Sequence, residues 1–147
     1  MELTYKPAQA ADIEPLFAFN QELIDAYEDK TQIELHKVLA WVRRKLEQQI
    51  QDYTCIYADG RKAGYFHFFA PDNTVMELDD LYIFPAFRGL GIGSAVIRRC
   101  CASTDRPVEL YVFRANTRAL ALYQRLGFRI QARTCHVSDT RYILRRD

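Results

Sequence analysis

The stretch FRGLGIGSAVIRR, Phe87–Arg99, sets three glycines at alternate positions, Gly89, Gly91 and Gly93, between a strand-like run and a helix-like run. Glycine adopts positive φ at little cost and lets a backbone approach a bulky group closely. A helix that begins at such a loop aims unpaired N–H groups, and the positive end of its dipole, at whatever lies in front. That is the physics of an anion site. A plain turn needs one glycine, not three at alternate positions. The loop therefore fixes a strand–loop–helix unit in the middle of the chain and points to a phosphate ligand.

Two common phosphate loops do not fit. A Walker A loop requires G-x-x-x-x-G-K-[ST], and this loop has no lysine. A dinucleotide fingerprint runs G-x-G-x-x-G after the first strand, with an acidic residue further on. Here the spacing is G-x-G-x-G and the loop follows a hairpin.

The flanking sequence supplies the other elements. ELTYK alternates like a short strand. A helix follows to about Tyr27, with Asp12 as its expected N-cap and apolar residues Ile13, Leu16, Phe17, Leu23, Ile24 and Tyr27 at helical spacing. Thr31 and Glu34 suggest a capping box for a second helix over 32–50, with Leu35, Val38, Leu39, Val42 and Leu46 as its apolar stripe. YTCIYA and AGYFHFF flank the turn signal DGRK and predict a hairpin. TVMELDDLYIF is the strand that enters the glycine loop. A helix over 92–102, the strand RPVELYVF, the helix NTRALALYQRLG ended by Gly127, and the strands FRIQARTCHV and TRYILRR complete the chain. The order is β-α-α-β-β-β-α-β-α-β-β, which requires a mixed sheet with packed helices.

At 147 residues the chain suits one domain with one core. The net charge of +1 hides an asymmetry. Residues 1–84 carry 8 Lys and Arg against 15 Asp and Glu, while residues 85–147 carry 12 Arg, no Lys and 4 acids. The basic half holds the glycine loop, as an anionic ligand would require. Cys55, Cys100, Cys101 and Cys135 show no metal-ligand spacing with His36, His67 or His136, so free thiols and no metal are expected. The opening MELTYKPAQAAD has neither the basic nor the apolar region of a secretory leader, and no apolar run reaches membrane-spanning length. A cytoplasmic protein with no membrane partner is expected. Lysine clusters interleaved with aromatics are absent, so no nucleic-acid partner is expected.

Two motifs narrow the phosphate's identity. Arg88-Gly89-Leu90-Gly91-Ile92-Gly93 fits R/Q-x-x-G-x-G/A between a strand and a helix. About 25 residues on, NTRALALYQRLGF, Asn116–Phe128, fits N-x-x-A-x-x-(apolar)-Y-x-x-x-G-F. With both motifs in this order, and the element order as well, the chain resembles the GNAT superfamily of N-acetyltransferases over essentially its whole length. The resemblance implies an α+β (mixed α/β) fold in a single domain, 1–147. Its centre would be a mixed, mostly antiparallel sheet of about six or seven strands flanked by about four helices.

It also implies acetyl-CoA as co-substrate. The pyrophosphate of coenzyme A would meet backbone amides of Arg88, Gly89, Leu90, Gly91, Ile92, Gly93 and Ser94. The strand residues Leu81, Tyr82 and Ile83 would pair with the pantetheine arm as an extra strand would. Asn116 would hydrogen-bond the arm, and Tyr123, two helical turns on, would protonate the departing thiolate. Arg114 and Arg118 stand near the same helix start, in reach of a 3′-phosphate. A backbone N–H near Tyr82 would meet the oxyanion.

The base is open between two carboxylates. Strand alternation puts Glu77 and Asp79 on one face and Asp80 on the other. The resemblance places a base at either of the first two, directly or through water. The run LDDLYI looks like the strand of polyamine-type members, which favours Asp79. His67 shares a strand face with Tyr65 and Phe69 and is expected to be a half-buried structural histidine.

Acceptor residues are expected from the first two helices. Glu22, Asp25, Glu28 and Asp29, with Tyr27 and Trp41, form an acidic, aromatic rim suited to a small cationic amine. The expected function is acetyl transfer to such an amine by direct attack in a ternary complex. A non-catalytic acyl-CoA-binding domain, or a relative acting on a peptide N-terminus or protein lysine, are the alternatives. Dimerisation through the late strands is common in such folds, so a homodimer is an open expectation.

Overall fold

The computed structural model describes residues 1–133 and 140–147. Its strands are β1 (Leu3–Pro7), β2 (Thr54–Ala58), β3 (Arg61–Phe69), β4 (Met76–Ile83), β5 (Val108–Phe113), β6 (Arg129–Ile130) and β7 (Arg141–Arg146). Its helices are α1 (Ile13–Tyr27), α2 (Leu35–Gln49), α3 (Ile92–Ala102) and α4 (Thr117–Arg125). One sheet of seven strands has the order β1-β2-β3-β4-β5-β7-β6. Every neighbouring pair is antiparallel except β4–β5. The expected mixed, mostly antiparallel sheet with four helices is what the chain forms.

Each face of the sheet carries its own core. On one face Ile92, Val96, Ile97 and Cys100 of α3 pack on Ile56, Phe66, Leu78, Leu110, Val112 and Leu144. On the other, Leu16 of α1 and Val42 and Leu46 of α2 pack on Tyr53, Cys55 and Tyr65. The stripe read from α2 supplies its buried residues, as an amphipathic helix on a sheet must.

Several local readings change. Asp12 makes no side-chain cap to α1. It is 4% exposed and accepts instead from Lys62 Nζ at 2.7 Å, Tyr65 Oη at 2.7 Å and the Gln9 N–H at 2.8 Å. A buried carboxylate with those partners does more by tying α1 to β3 than by capping. The Thr31–Glu34 capping box does not form, and α2 begins three residues later than the 32–50 reading, with Glu34 as N-cap. Thr31 turns back to Asp29, its N–H and hydroxyl donating to one carboxylate oxygen at 3.0 and 2.6 Å. Of the strand read over 128–137, the described residues with ladder partners are Arg129 and Ile130. Its end, with Cys135 and His136, lies outside the described residues. Of the other cysteines, Cys55 and Cys100 are buried free thiols and Cys101 is free and part-exposed.

The feature that positions the site is a bulge in β4. Tyr65 pairs with Tyr82 and His67 pairs with Asp79, so Phe66 alone stands opposite both Asp80 and Leu81. Asp80 takes φ 49°, in the left-handed region that a non-glycine residue seldom occupies. The bulge turns Asp80 onto the α1/α2 face, beside Asp79. Alternation had put it on the opposite face. Beyond the bulge β4 no longer tracks β5. Their ladder holds only Met76–Val108 and Glu77–Glu109, while β5 continues to pair with β7 up to Phe113. A parallel pair that opens in the middle of a sheet leaves a cleft edged by backbone polar groups.

Gly64 makes this course possible. A Cβ built there would lie 2.0 Å from the Tyr82 carbonyl oxygen, a backbone atom that cannot step aside. Gly64→Ala is expected to destabilise the fold by about 3 kcal/mol, the upper part of the overpacking range. A fall in the urea midpoint at unchanged slope checks it.

Candidate active site

The glycine loop ends in the N-terminus of α3. Gly89 and Gly91 take φ 77° and 80°, and Gly91 is the N-cap. The Ala95 N–H donates to the Gly91 carbonyl at 3.0 Å as the first bond of the helix. The N–H groups of Ile92, Gly93 and Ser94 thus lack a helical acceptor. Gly93 has no positive φ, and a Cβ there would meet only Ile83 Cγ1, at 4.0 Å. At Gly89 and Gly91 an added Cβ would find nothing within 4 Å. The fold needs the first two glycines for their backbone conformation, whereas at the third an added Cβ would make only an ordinary contact. The ground in front of three free donors stays open, which fits a diphosphate.

Arg88 serves the loop itself. Its Nε donates to the Ile83 carbonyl at 2.9 Å, and its guanidinium lies 5.6 Å from the Tyr82 ring centre. Leu81, Tyr82 and Ile83 form the end of β4 that lies beyond its ladder with β5, and the Ile83 carbonyl is already occupied by the Arg88 strap. Leu90 is 56% exposed on the loop.

Across the cleft stands α4. Asn116 is its N-cap, with Oδ1 accepting from the Ala119 N–H at 3.3 Å, so the motif asparagine has a local task and keeps Nδ2 for another partner. Arg114 lies over the Tyr142 ring at 4.8 Å. Gly127 closes the helix at φ 94°, and the Phe128 N–H returns to the Tyr123 carbonyl at 3.0 Å. Phe128 then packs edge-on to the Tyr123 ring, 5.8 Å between centres. The Tyr123 hydroxyl has no hydrogen-bond partner among the described residues. Burial, and then the nearby charge of Asp79, push it up to about 12. It holds its proton firmly at neutral pH.

The carboxylates of β4 fall into two kinds. Asp79 and Asp80 are tied up. Asp79 Oδ1 accepts from the Asp80 N–H at 2.9 Å, and its Oδ2 is in close contact with Lys45 Nζ. Asp80 Oδ2 accepts from Tyr53 Oη at 2.6 Å and lies 3.7 Å from the same Lys45 Nζ. Burial works against the Lys45 ammonium, but Asp79 and Asp80 outweigh it and raise its pKa. Burial and then Asp79 raise Asp80, and burial followed by both aspartates raises the Tyr53 phenol.

Glu77 is the other kind. It makes no hydrogen bond or ion pair among the described residues. Burial, with Asp79 and Glu109 adding to it against Lys45, pushes it up to about 7. Beside it Glu109, 8% exposed, is held by Arg133 and by Arg145 at 3.5 Å.

His67 sits under the cluster. It is 2% exposed, more buried than expected, and is stacked between Tyr53 and Phe69 with 4.3 Å between centres on each side. Burial lowers its pKa, and its buried Nδ1 has no partner. It is a neutral spacer in the wall.

Three of the four rim acids are spent internally. Glu28 accepts from Thr140 at 2.6 Å and lies 3.8 Å from Arg141; Asp25 pairs with Lys30 at 3.0 Å; Asp29 holds Thr31. Trp41 does stand at the mouth, 56% exposed, with its ring centre 5.8 Å from Lys45 Nζ. Lys45 and Tyr53 were missed from sequence. The signal for Lys45 was its place seven residues after Val38, on the buried side of α2.

The chain's residues 16–128 match the acetyltransferase (GNAT) family. It is 40% identical over 58 residues to an uncharacterized N-acetyltransferase of Methanocaldococcus jannaschii, a match spanning 37% of this chain and 26% of that relative. Its fold is similar to PaiA N-acetyltransferase from Thermoplasma acidophilum, solved with coenzyme A, at TM-score 0.65 and 18% identity, over 100% of this chain and 99% of that one. It is similar also to Ard1 from Thermoplasma volcanium, at TM-score 0.70 and 20% identity, over 99% and 97% of the two chains. The chain belongs to the acetyltransferase (GNAT) family. No helix among the described residues is long and apolar enough to cross a membrane.

The state of Glu77 has a stability consequence. The unfolded chain loses this proton near 4.5 and the folded chain near 7, so the folded form is favoured below that window and loses the advantage as pH rises through it. Glu77→Gln, which cannot ionise, is expected to melt above the wild type at pH 8 and level with it at pH 4.5. Paired thermal melts at the two pH values read this directly.

Proposed function

We propose that the protein transfers an acetyl group from acetyl-CoA to the primary amine of a small cationic acceptor, both bound at once. The observation that carries this is proximity to one charge: Asp79 acts electrostatically on both the Tyr123 hydroxyl and the Glu77 carboxylate, two groups without a side-chain partner among the described residues. In this reading the amides of Ile92, Gly93 and Ser94 hold the diphosphate. The edge of Leu81–Ile83 and Asn116 Nδ2 align the arm. Acetyl-CoA supplies the thioester carbonyl that the amine attacks.

The protein's own groups then move protons. Glu77 is the base. It has free lone pairs and titrates near neutrality, while Asp79, favoured from sequence, is engaged by Lys45. The amine nitrogen forms the new C–N bond, its proton passes to Glu77, the C–S bond breaks, and Tyr123 protonates the departing sulfur. A β4 backbone N–H near Tyr82 meets the oxyanion. Positioning and preformed charge supply the rate.

Acetyl transfer to a primary alkylamine, followed by thiol release, tests the reading. The kcat/KM profile is expected to bend near pH 7, where Glu77 titrates, and Glu77→Gln to lose that bend along with about 10²-fold in rate. Tyr123→Phe is expected to lower kcat by about 10²-fold at little change in KM. An unchanged kcat in Tyr123→Phe removes the acid; coenzyme A binding with no thiol release for any amine leaves a binding domain.

A further inference from the structure

Taking the transferase reading as its basis, we propose that Lys45 sets the acceptor class. Its ammonium fills the Asp79–Asp80 carboxylate pair as a built-in counter-ion, so the site takes an amine of one positive charge and turns away diamines and polyamines.

The sequence alone left the acceptor as a small cationic amine and used the likeness of LDDLYI to polyamine-type members only to favour Asp79 as base. The bulge at Asp80 brings both carboxylates to one face, and α2 delivers Lys45 between them with its side chain 17% exposed. Little is then left for a second ammonium to use. The Asp80 carboxylate is 9% exposed and also holds the Tyr53 hydroxyl. Asp79 has one oxygen on the Asp80 N–H and the other on Lys45. Glu109 is already matched by Arg133 and Arg145. Around the cleft, the carboxylates of Glu77, Asp79, Asp80 and Glu109 face the cations Lys45, Arg133 and Arg145.

Arg145 also pairs with Asp147 at 2.8 Å, and of the four carboxylates only Glu77 makes no ion pair or side-chain hydrogen bond among the described residues. A single acceptor ammonium pairs with it and hands its proton to the same carboxylate. A second ammonium would enter a half-buried space beside Lys45 with no free carboxylate to meet it. Like charges at close range and an unpaired buried cation both oppose this. Lys45 is thus a specificity residue that acts by occupying ground, and its removal opens that ground to a second charge.

Trp41 provides the readout. It is the chain's one tryptophan and stands over the Lys45 ammonium. Its fluorescence is titrated with n-butylamine and with 1,4-diaminobutane at constant ionic strength, in wild type, Lys45→Met and Lys45→Arg, with thermal melts beside it. Wild type and Lys45→Arg are expected to bind n-butylamine about tenfold or more tighter than 1,4-diaminobutane. Lys45→Met is expected to melt lower, to favour the diamine by about tenfold or more, and to regain melting temperature with the diamine and not with the monoamine. Equal affinity for the two amines, or a diamine preference, in wild type overturns the proposal, and that arm needs no variant to fold. A Lys45→Met protein that folds but gains no diamine preference overturns it too. Absence of thiol release from acetyl-CoA with every amine would defeat the transferase reading and would leave these binding ratios legible.

Discussion

Phe66 faces two residues of β4 where a regular ladder would give it one, and much of the site follows from that count. The extra residue forces Asp80 to φ 49° and puts its carboxylate on the same side as that of Asp79. It also bends β4 away from β5 after Glu77, so that the centre of the sheet opens. Both outcomes need β3 to lie very close to the bulged strand, and Gly64 under the Tyr82 carbonyl is the residue that allows it. Backbone strain of this kind persists where the surroundings over-determine it. Here Tyr53, Lys45 and the N–H of Asp80 itself all fasten the two carboxyl groups that the bulge brings together.

Charge organises the opened cleft. At one end the positive pole of α3 and three unpaired N–H groups await an anion. At the other, acids and cations are paired off almost completely, with Glu77 left over. A carboxylate that is buried, near other carboxylates and without a hydrogen bond binds its proton more tightly. The same environment that makes Glu77 a liability to folding above pH 7 suits it to take a proton at that pH. The neighbouring Asp79 has one oxygen on the Asp80 N–H and the other on Lys45, so it offers no free lone pair in the way Glu77 does.

The sequence carried the architecture because its signals were local and mutually consistent. Three glycines, a capping asparagine and a closing glycine mark α3 and α4, and alternating apolar runs mark the central strands. The hairpin turn at Asp59 and Gly60 appears with φ 49° and 81°, as its composition required. What stayed hidden depended on pairing across the chain. Nothing within MELDDLYI announces a bulge, since that is set by the register against β3. Lys45 lies 34 residues from Asp79 and reads as an ordinary helix lysine until the fold brings it there. Asp12 looked like a cap because caps are local, and the sheet gave it stronger partners in Lys62 and Tyr65.

The claim on which the rest stands is that the open edge of β4 and the start of α3 hold acetyl-CoA. Gly93 offers the cleanest test, because its φ is not positive and an added Cβ there meets only Ile83 Cγ1, at an ordinary 4.0 Å. Calorimetric titration with acetyl-CoA of wild type and Gly93→Glu, with matched thermal melts, isolates the anion site. The account predicts saturable binding by wild type and a loss of about 100-fold or more in the variant at unchanged melting temperature. Equal binding by both proteins, or none by wild type, would contradict it.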